Sequence, residues 1–315
     1  MDDTTRAELL KANQLLMTIR GKDRAEKAQQ KRTELAQNDS PNLTDSASPT
    51  PPILAEICDF CKQAIPPQVL DMGGKVRYFP GYCKCEGAED KRQQERVEEQ
   101  RRELLEKAGE FIARAGITRG KLNKYRFSTW NDEQYPNAEK YKKEVMGFVS
   151  QVTVDGRNLL FVHGPYGVGK SHLAVAALRQ IILNHVSDPI PWRGYFCDWV
   201  EHCSLVQESW GGDDAIEGQL WNRMRNASIL VIDDIDKRKP SEWALGKLFE
   251  VVQHRYYHEK PTIITANHSI QELQKLWAGS GAEHIRDAGG AILSRVMEQL
   301  WRQIGIKAKD QRDSL

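Results

Sequence analysis

Hydrophobic positions after about Lys121 alternate between two periodicities. Three apolar runs of strand length occur there, Leu159–Val162, Ser228–Ile232 and Pro261–Ala266. Between the first two runs, apolar residues recur at helical spacing and fall on one helix face: Leu173, Ala174, Ala177, Leu178, Ile181 and Ile182. Buried strands that alternate with amphipathic helices predict an α/β fold with a parallel sheet flanked by helices.

The chain before Lys121 is far more polar. Residues 4–36 are charged and helix-prone, and they carry a short apolar stripe that suits either a partner-binding helix or a loosely packed surface helix. Residues 37–52 are rich in proline and small polar residues, which predicts a flexible linker. Residues 86–115 carry charges of both signs at helical spacing, so we expect a solvated connecting helix.

These shifts in composition predict three parts. We expect a helical segment with its linker over residues 1–52, a cysteine-containing module with its connecting helix over 53–115, and a large globular domain over 116–315.

The charge balance and polarity limit the location and the partners. The 315 residues carry a formal net charge of +1, so any nucleic-acid site must be local rather than global. No apolar run reaches membrane-spanning length, and the polar, acidic first residues do not resemble a signal peptide. We therefore expect a cytoplasmic protein without membrane contact, whose cysteines are reduced or metal-bound rather than disulfide-linked.

A glycine-rich run separates the first apolar strand from the apolar helix: Gly164-Pro165-Tyr166-Gly167-Val168-Gly169-Lys170-Ser171. It fits G-x-x-x-x-G-K-[ST], the pattern of the phosphate-binding loop of ATP- and GTP-binding proteins. Such a loop requires the strand before it and the helix after it that are predicted here. The glycines let several backbone N–H groups point at one phosphate, and the helix start adds its positive end. We expect Lys170 to reach the β- and γ-phosphates, Ser171 to ligate Mg²⁺, and the neighbouring His172 to belong to the same nucleotide-binding set.

Polar residues at two further strand ends suit the same chemistry. The second apolar run ends in Asp233 and Asp234, and a carboxylate at this place holds magnesium directly or through water, so Asp233 is the metal candidate. Asp234 is placed to act as general base on the attacking water, and Asp236 is a less favoured acid nearby. Asn267 ends the third run, where it could orient that water.

Four of the six cysteines form two close pairs, Cys58-x-x-Cys61 and Cys83-x-Cys85. Two thiol pairs across a short loop suit tetrahedral zinc, and metal binding would supply folding energy to a segment with little apolar material. Four unrelated free thiols or a redox pair are the alternatives, but no thioredoxin-like strand–helix pattern surrounds them. The other two cysteines lie in apolar surroundings and are predicted to belong to the core.

In this order, the motifs resemble the helicase-loader branch of the AAA+ ATPases, the DnaC/IstB-like family. That branch contains bacterial replicative helicase loaders and the ATP-binding helper proteins of insertion sequences. The resemblance covers roughly residues 112–313, in the stretches Ala115-Gly116-Ile117, Tyr125-Arg126-Phe127, NLLFVHGPYGVGKSHLAVA, SILVIDDID, HRYYHEKPTIITANHS and ILSRVMEQL. It implies a P-loop NTPase core of AAA+ type with a short C-terminal lid, plus a small N-terminal helical and zinc-binding domain.

The resemblance also implies roles for individual residues. Gly164 to Ser171 correspond to the Walker A loop, Asp233 and Asp234 to the Walker B pair, and Asn267 to sensor 1. The zinc module resembles that of Gram-positive-type loaders, with the four paired cysteines as ligand candidates.

Three arginines are implicated by the same resemblance. Arg295 is similar to an arginine that reaches a neighbouring subunit's nucleotide. Because Gln299 stands where some loaders carry a further arginine, Arg302 is the alternative for this role. Arg312 is similar to the sensor 2 arginine.

The function implied is an ATPase that loads the hexameric replicative DNA helicase onto single-stranded DNA and self-associates into a ring or spiral. In that family the elements that follow the position of the aromatic segment Trp192–Trp199 face single-stranded DNA, and its aromatic residues could stack on bases. Tyr195–Val200 also has the pattern of a core strand and helix start, which we favour. One alternative is a transposition helper that binds duplex DNA and a transposase. Another is a nucleotide-dependent adaptor with little turnover, because Asp234 is one methylene shorter than a glutamate.

Overall fold

The computed structural model describes residues 56–74, 76–152, 157–210, 214–237, 241–278 and 283–308. The helical segment and linker expected over residues 1–52 lie outside the described residues, as does Arg312. The chain divides into two compact units, and the division falls between Glu103 and Leu104.

The smaller unit contains two short antiparallel pairs and the start of a long helix. Strand β1 (Glu56–Ile57) pairs with β2 (Ala64–Ile65), and β3 (Gln68–Asp71) pairs with β4 (Val76–Phe79). Gly73 and Gly74 follow β3 with positive φ angles of 68° and 87°, which glycine adopts without strain. Helix α1 (Glu86–Arg114) confirms the predicted charged helix. Acidic residues in its first turn interact favourably with the positive end of the helix dipole.

The larger unit is built around a five-stranded sheet. In chain order its strands are β5 (Leu159–His163), β6 (Gly194–Asp198), β7 (Ile229–Asp233), β8 (Thr262–Ala266) and β9 (Leu300–Gly305). Their order across the sheet is β6-β7-β8-β5-β9, and each pair of neighbours is parallel. The predicted α/β class with a parallel sheet is therefore confirmed.

Helices connect and cover these strands: α2 (Ala138–Gln151), α3 (Lys170–His185), α4 (Trp199–Glu208), α5 (Asp214–Asn226), α6 (Glu242–Tyr257), α7 (Ile270–Ala278) and α8 (Glu283–Gln299). Two 3-10 turns, Gly120–Lys124 and Phe127–Thr129, precede α2. The segment after Asn267, predicted to form only a short lid, contains α7, α8 and also β9, which joins the sheet beside β5.

Side chains on the two faces of the sheet form two separate cores. On β5, Leu160 and Val162 pack with apolar residues of α2 and α3, whereas Leu159 and Phe161 pack with those of α4, α6 and α8. Successive side chains of a strand point to opposite faces, so one apolar run serves both layers. This explains why the strands read as continuous apolar runs rather than as alternating ones.

A buried arginine joins three elements of the larger unit. Arg255, near the end of α6, is only 1% exposed. It donates to Thr262 Oγ1 at 2.9 Å and to the carbonyl oxygens of Met224 at 2.9 Å and Ala227 at 2.8 Å. Burial lowers its pKa to about 9. These bonds tie the ends of α5 and α6 to β8 and account for the arginine in the HRYYHEKPT segment.

None of the helices formed by the described residues is both long and apolar enough to cross a lipid bilayer.

A histidine lies within the aromatic core above β6. His202 on α4 is 3% exposed, its ring centroid is 4.6 Å from that of Trp221, and its Nε2 has no hydrogen-bond partner among the described residues. Burial lowers its pKa to about 4 from the ordinary 6.5. The neutral ring is therefore the form that the fold accommodates.

This burial predicts an acid-dependent loss of stability. Because the unfolded chain binds the His202 proton more readily than the folded one, the contribution of His202 to the free energy of unfolding should be constant above about pH 6.5 and fall as the pH drops. The loss should total about 3 kcal/mol once the pH is below about 4. Urea unfolding followed by tryptophan fluorescence from pH 8 to 4 measures it. His202→Phe should reduce this slope, and exposed His258→Phe should keep it. An unchanged slope in His202→Phe contradicts the assignment.

Candidate functional site

The glycine-rich loop joins β5 to α3 in a tightly curled path. Gly164, Gly167 and Gly169 have φ angles of 148°, 76° and 91°, a region that residues with a Cβ rarely adopt. A Cβ at Gly164 would lie 2.4 Å from the Ile306 carbonyl oxygen, and one at Gly169 would lie 2.6 Å from the Trp130 ring. The glycines are thus required both by the turn and by close neighbours. Helix α3 begins directly at Lys170, so its N-terminus adjoins the loop.

Aromatic residues ahead of the sheet support this loop. The Tyr135 hydroxyl donates to the Val168 carbonyl at 2.8 Å. The His172 ring stacks on Tyr125 with a centroid distance of 4.6 Å, and its Nε2 donates to the Arg126 carbonyl at 2.9 Å. Burial lowers the pKa of His172, which favours the neutral ring. The Tyr125-Arg126-Phe127 segment is therefore held against the start of α3.

The Lys170 ammonium connects the loop with the end of β8. Its Nζ donates to the carbonyl oxygens of Gly164 and Pro165, both at 2.9 Å, and to Asn267 Oδ1 at 3.1 Å. Two residues predicted from separate motifs are thus in direct contact. The Tyr166 side chain is exposed, and its ring lies 5.8 Å from the same ammonium.

A second set of contacts forms around Asp233 at the end of β7. The Ser171 hydroxyl donates to one carboxylate oxygen at 2.7 Å, and the Thr265 hydroxyl donates to the other at 2.6 Å. Asp233 is 5% exposed, and burial raises its pKa to about 6 although both hydrogen bonds act in the opposite direction. A hydroxyl and a carboxylate at this distance form a donor set that suits magnesium, and a cation there would favour the ionised carboxylate.

Asp234 adjoins this set in a strained backbone conformation. Its φ angle is 55°, and its N–H donates to Thr265 Oγ1 at 2.9 Å. Its carboxylate lies 3.3 Å from Lys237 Nζ. Positive φ values in non-glycine residues cluster at functional sites. The structure thus places both predicted acids at the same strand end, each linked to Thr265.

The predicted trans arginines have partners within the chain. Arg295 on α8 donates to Gln253 at 3.0 Å and to Glu298 at 3.3 Å, and its guanidinium lies 5.1 Å from the Tyr256 ring centroid. Arg302 on β9 lies 3.5 Å from a carboxylate oxygen of Glu144 on α2.

Gln299, which lies between Arg295 and Arg302 in the sequence, is buried and donates a hydrogen bond to the Tyr256 carbonyl at 3.3 Å. A role for Arg295 or Arg302 on a neighbouring subunit's nucleotide stays a prediction.

The four paired cysteines converge. All their Sγ atoms lie within 4.8 Å of one another, with 3.7 Å between Cys58 and Cys85 and 3.4 Å between Cys61 and Cys83. Zinc–sulfur bonds of about 2.3 Å in a tetrahedron give sulfur–sulfur distances of roughly 3.8 Å. Backbone N–H groups of Cys61 and Phe60 lower the pKa of the Cys58 thiol to about 6. The cluster has the geometry to hold one tetrahedral metal ion.

The aromatic segment considered for DNA contact is mostly core. Tyr195–Val200 contributes to β6 and to the start of α4, as favoured from the sequence, and Cys197 and Trp199 are buried. Trp192 stacks on His185 with a centroid distance of 4.3 Å.

The structure gives new roles to two side chains of the site: Thr265, which the sequence interpretation did not consider, and Asp236, which it considered only as a less favoured acid. Thr265 binds Asp233 and Asp234, and its position two residues before Asn267 on a strand was the available signal. Asp236, two residues after Asp234, accepts a hydrogen bond from the N–H of Asn267 at 2.9 Å, a contact that the sequence did not predict.

Comparison with known proteins gives a matching family and several relatives in sequence. The family model of IstB-like ATP binding proteins matches residues 120–312. The phage-like element PBSX protein XkdC of Bacillus subtilis is 26% identical over 161 residues, which cover 48% of this chain and 56% of that protein. An insertion sequence IS5376 putative ATP-binding protein of Geobacillus stearothermophilus is 32% identical over 118 residues, 36% of this chain and 42% of that protein.

The replicative helicase loader DnaC of Escherichia coli is 28% identical over 123 residues, 39% of this chain and 48% of that protein. The chain thus spans about half the length of the curated relatives it matches. A crystal structure of the DnaC helicase loader aligns with a TM-score of 0.45 and 25% identity, over 58% of this chain and 97% of that one.

The family match covers more than half of the chain and includes the glycine-rich loop, Asp233, Asp234 and Asn267. The chain therefore belongs to the family of IstB-like ATP-binding proteins, with a P-loop nucleotide-binding core.

Proposed function

We propose that this protein is an ATP-dependent loader of a hexameric replicative DNA helicase onto single-stranded DNA. The observation that carries the proposal is the contact of Lys170 with Asn267 and of Ser171 with Asp233, both partners being distant in sequence, beside a loop of the family's phosphate-binding type. The loader role is supported by the similarity to the DnaC loader and by the cysteine cluster ahead of the core.

Each residue of the site would have a separate role in ATP hydrolysis. Ser171 and Asp233 would hold Mg²⁺, which neutralises charge on the β- and γ-phosphates. Lys170 would exchange the carbonyls of Gly164 and Pro165 for phosphate oxygens. Asp234 would accept the proton of the attacking water, and Asn267 would orient that water.

Assembly would complete the site. Arg295 or Arg302 of a neighbouring subunit would stabilise charge on the transferred phosphoryl group, as trans arginines do in other P-loop enzymes. ATP binding would then favour a ring or spiral, and hydrolysis would release the helicase.

A transposition helper is the second candidate. It is favoured by the insertion-sequence relative, which has the highest identity of the three quoted above. This function requires duplex DNA and a transposase as partners rather than a helicase and single-stranded DNA.

The third candidate is an adaptor with little turnover. It would bind ATP as either ATPase does but would release almost no phosphate.

Substitutions in the loop and at the acidic pair should separate ATP binding from turnover. Lys170→Ala should abolish the calorimetric heat of Mg-ATP binding. Asp234→Asn should retain that heat but lower phosphate release by roughly 10²-fold, because the water loses its base. Lys143→Ala, which removes an exposed lysine paired with Glu139, is the matched control and should leave both unchanged. A parent protein that binds no Mg-ATP refutes the proposed ATPase, and one that binds it without turnover favours the adaptor.

Elemental analysis should find one zinc ion per chain. Cys61→Ser with Cys83→Ser should lose it, since each change removes a thiolate ligand. Cys203→Ala, which removes a buried cysteine of the larger unit, is the matched control and should keep the metal. Zinc retention in the double variant contradicts the assignment.

A pull-down with full-length protein tests the partner. We expect retention of a hexameric replicative helicase by the parent and by Lys170→Ala, but its loss in the Cys61→Ser, Cys83→Ser variant. Gel shifts should show ATP-dependent binding to single-stranded DNA. Tight duplex binding with retention of a transposase and no helicase would instead identify the transposition helper.

A further inference from the structure

Asp236 accepts a dense set of hydrogen bonds from the end of β8. Its side chain is 4% exposed. The Asn267 backbone N–H lies 2.9 Å from both carboxylate oxygens, and the Asn267 Nδ2 lies 3.0 Å from Oδ1. The other oxygen, Oδ2, lies 2.9 Å from the His268 N–H and 2.7 Å from His268 Nδ1. One buried carboxylate therefore holds both residues that follow the strand.

These contacts fix the orientation of the Asn267 amide. The amide lies between the Asp236 carboxylate, which only accepts hydrogen bonds, and the Lys170 ammonium, which only donates them. A single orientation satisfies both neighbours, with Nδ2 toward Asp236 and Oδ1 toward Lys170. The reverse orientation would oppose two acceptors on one side and two donors on the other.

We propose that Asp236 is a positioning residue for ATP hydrolysis, holding Asn267 so that its carbonyl oxygen rather than its amino group faces the phosphate loop. This inference rests on the proposed ATPase function. When the Lys170 ammonium moves to the phosphates, Asn267 Oδ1 becomes an acceptor for one O–H of the attacking water. Asp234 takes the other proton as the water oxygen bonds to phosphorus and the bond to the leaving diphosphate oxygen breaks.

Loss of the carboxylate would act on the same amide. Asp236→Asn keeps the shape but replaces one acceptor oxygen by a donor, which then faces a donor of Asn267 or of His268. If it faces Asn267, the amide turns and presents Nδ2 to Lys170, where the two donors repel. The effect should fall on the chemical step rather than on nucleotide affinity, since the hydrogen bonds of Asp236 within the described ranges go to Asn267 and His268, and Asn267 is the one that contacts Lys170.

Steady-state kinetics with Mg-ATP provide the test. Asp236→Asn should lower kcat by about tenfold or more, with KM within roughly threefold of the parent and unchanged affinity for a fluorescent ADP analogue. Asp188→Asn is the matched control. It breaks another aspartate–histidine contact, 2.8 Å from His185 at the end of α3, and should leave kcat unchanged.

A double-variant cycle distinguishes positioning from a general structural effect. If Asp236 acts through Asn267, adding Asp236→Asn to Asn267→Ala should lower kcat by less than about twofold more. Multiplying effects, or an unchanged kcat in Asp236→Asn, overturn the inference while the ATPase stands. A parent without hydrolysis overturns both.

If Asp236→Asn does not fold, His268→Ala replaces it. The His268 ring is 46% exposed and supplies one of the donors to the carboxylate. Its loss should lower kcat by roughly two- to fivefold at unchanged ADP affinity. An unchanged kcat in this variant overturns the inference.

Discussion

The parallel pairing of β5 with β8, and of β8 with β7, is the constraint on which the site depends. His163 is in register with Ala266, so the glycine-rich loop and Asn267 leave the sheet at the same level. Asp233 ends β7 at the same edge, beside β8. Parallel strands bring their carboxyl ends to one side, which is where ligands bind in open α/β sheets. The short contacts of Lys170 and Ser171 are consequences of that register.

Burial determines how the charged groups of this site are stabilised. The Lys170 ammonium is held by carbonyl oxygens, and the buried Asp233 carboxyl is held by two hydroxyls, so that neither charged group lacks polar contacts. The raised pKa of Asp233 shows that these hydroxyls do not fully offset the cost of burial. A divalent cation beside this carboxyl would compensate for that cost, and the family's use of magnesium is consistent with it.

The sequence predicted features that are local and left out features that depend on register. The apolar strands, the loop and the residues after each strand are contiguous signals, and the structure brings Ser171 to Asp233 and Lys170 to Asn267. The role of Thr265 emerges only when β8 lies beside β7.

Strand β9 was missed because the sequence Leu300-Trp301-Arg302-Gln303 places two polar residues in its middle. An edge strand tolerates such residues because it has a neighbour on one side only.

The smaller unit buries too little apolar surface to be stabilised by packing alone. Among its described residues, the buried apolar side chains are those of Cys58 and Ala88, whereas Val69, Leu70 and Phe79 of the β3–β4 pair are exposed. A two-stranded pair is at best marginally stable in water, so burial of so little apolar surface does not offset the entropy of ordering it. Four thiolates around one metal ion would supply the missing free energy. With a metal ion bound, the cysteine spacing would determine the fold of this unit in the way that the apolar runs determine the sheet of the other.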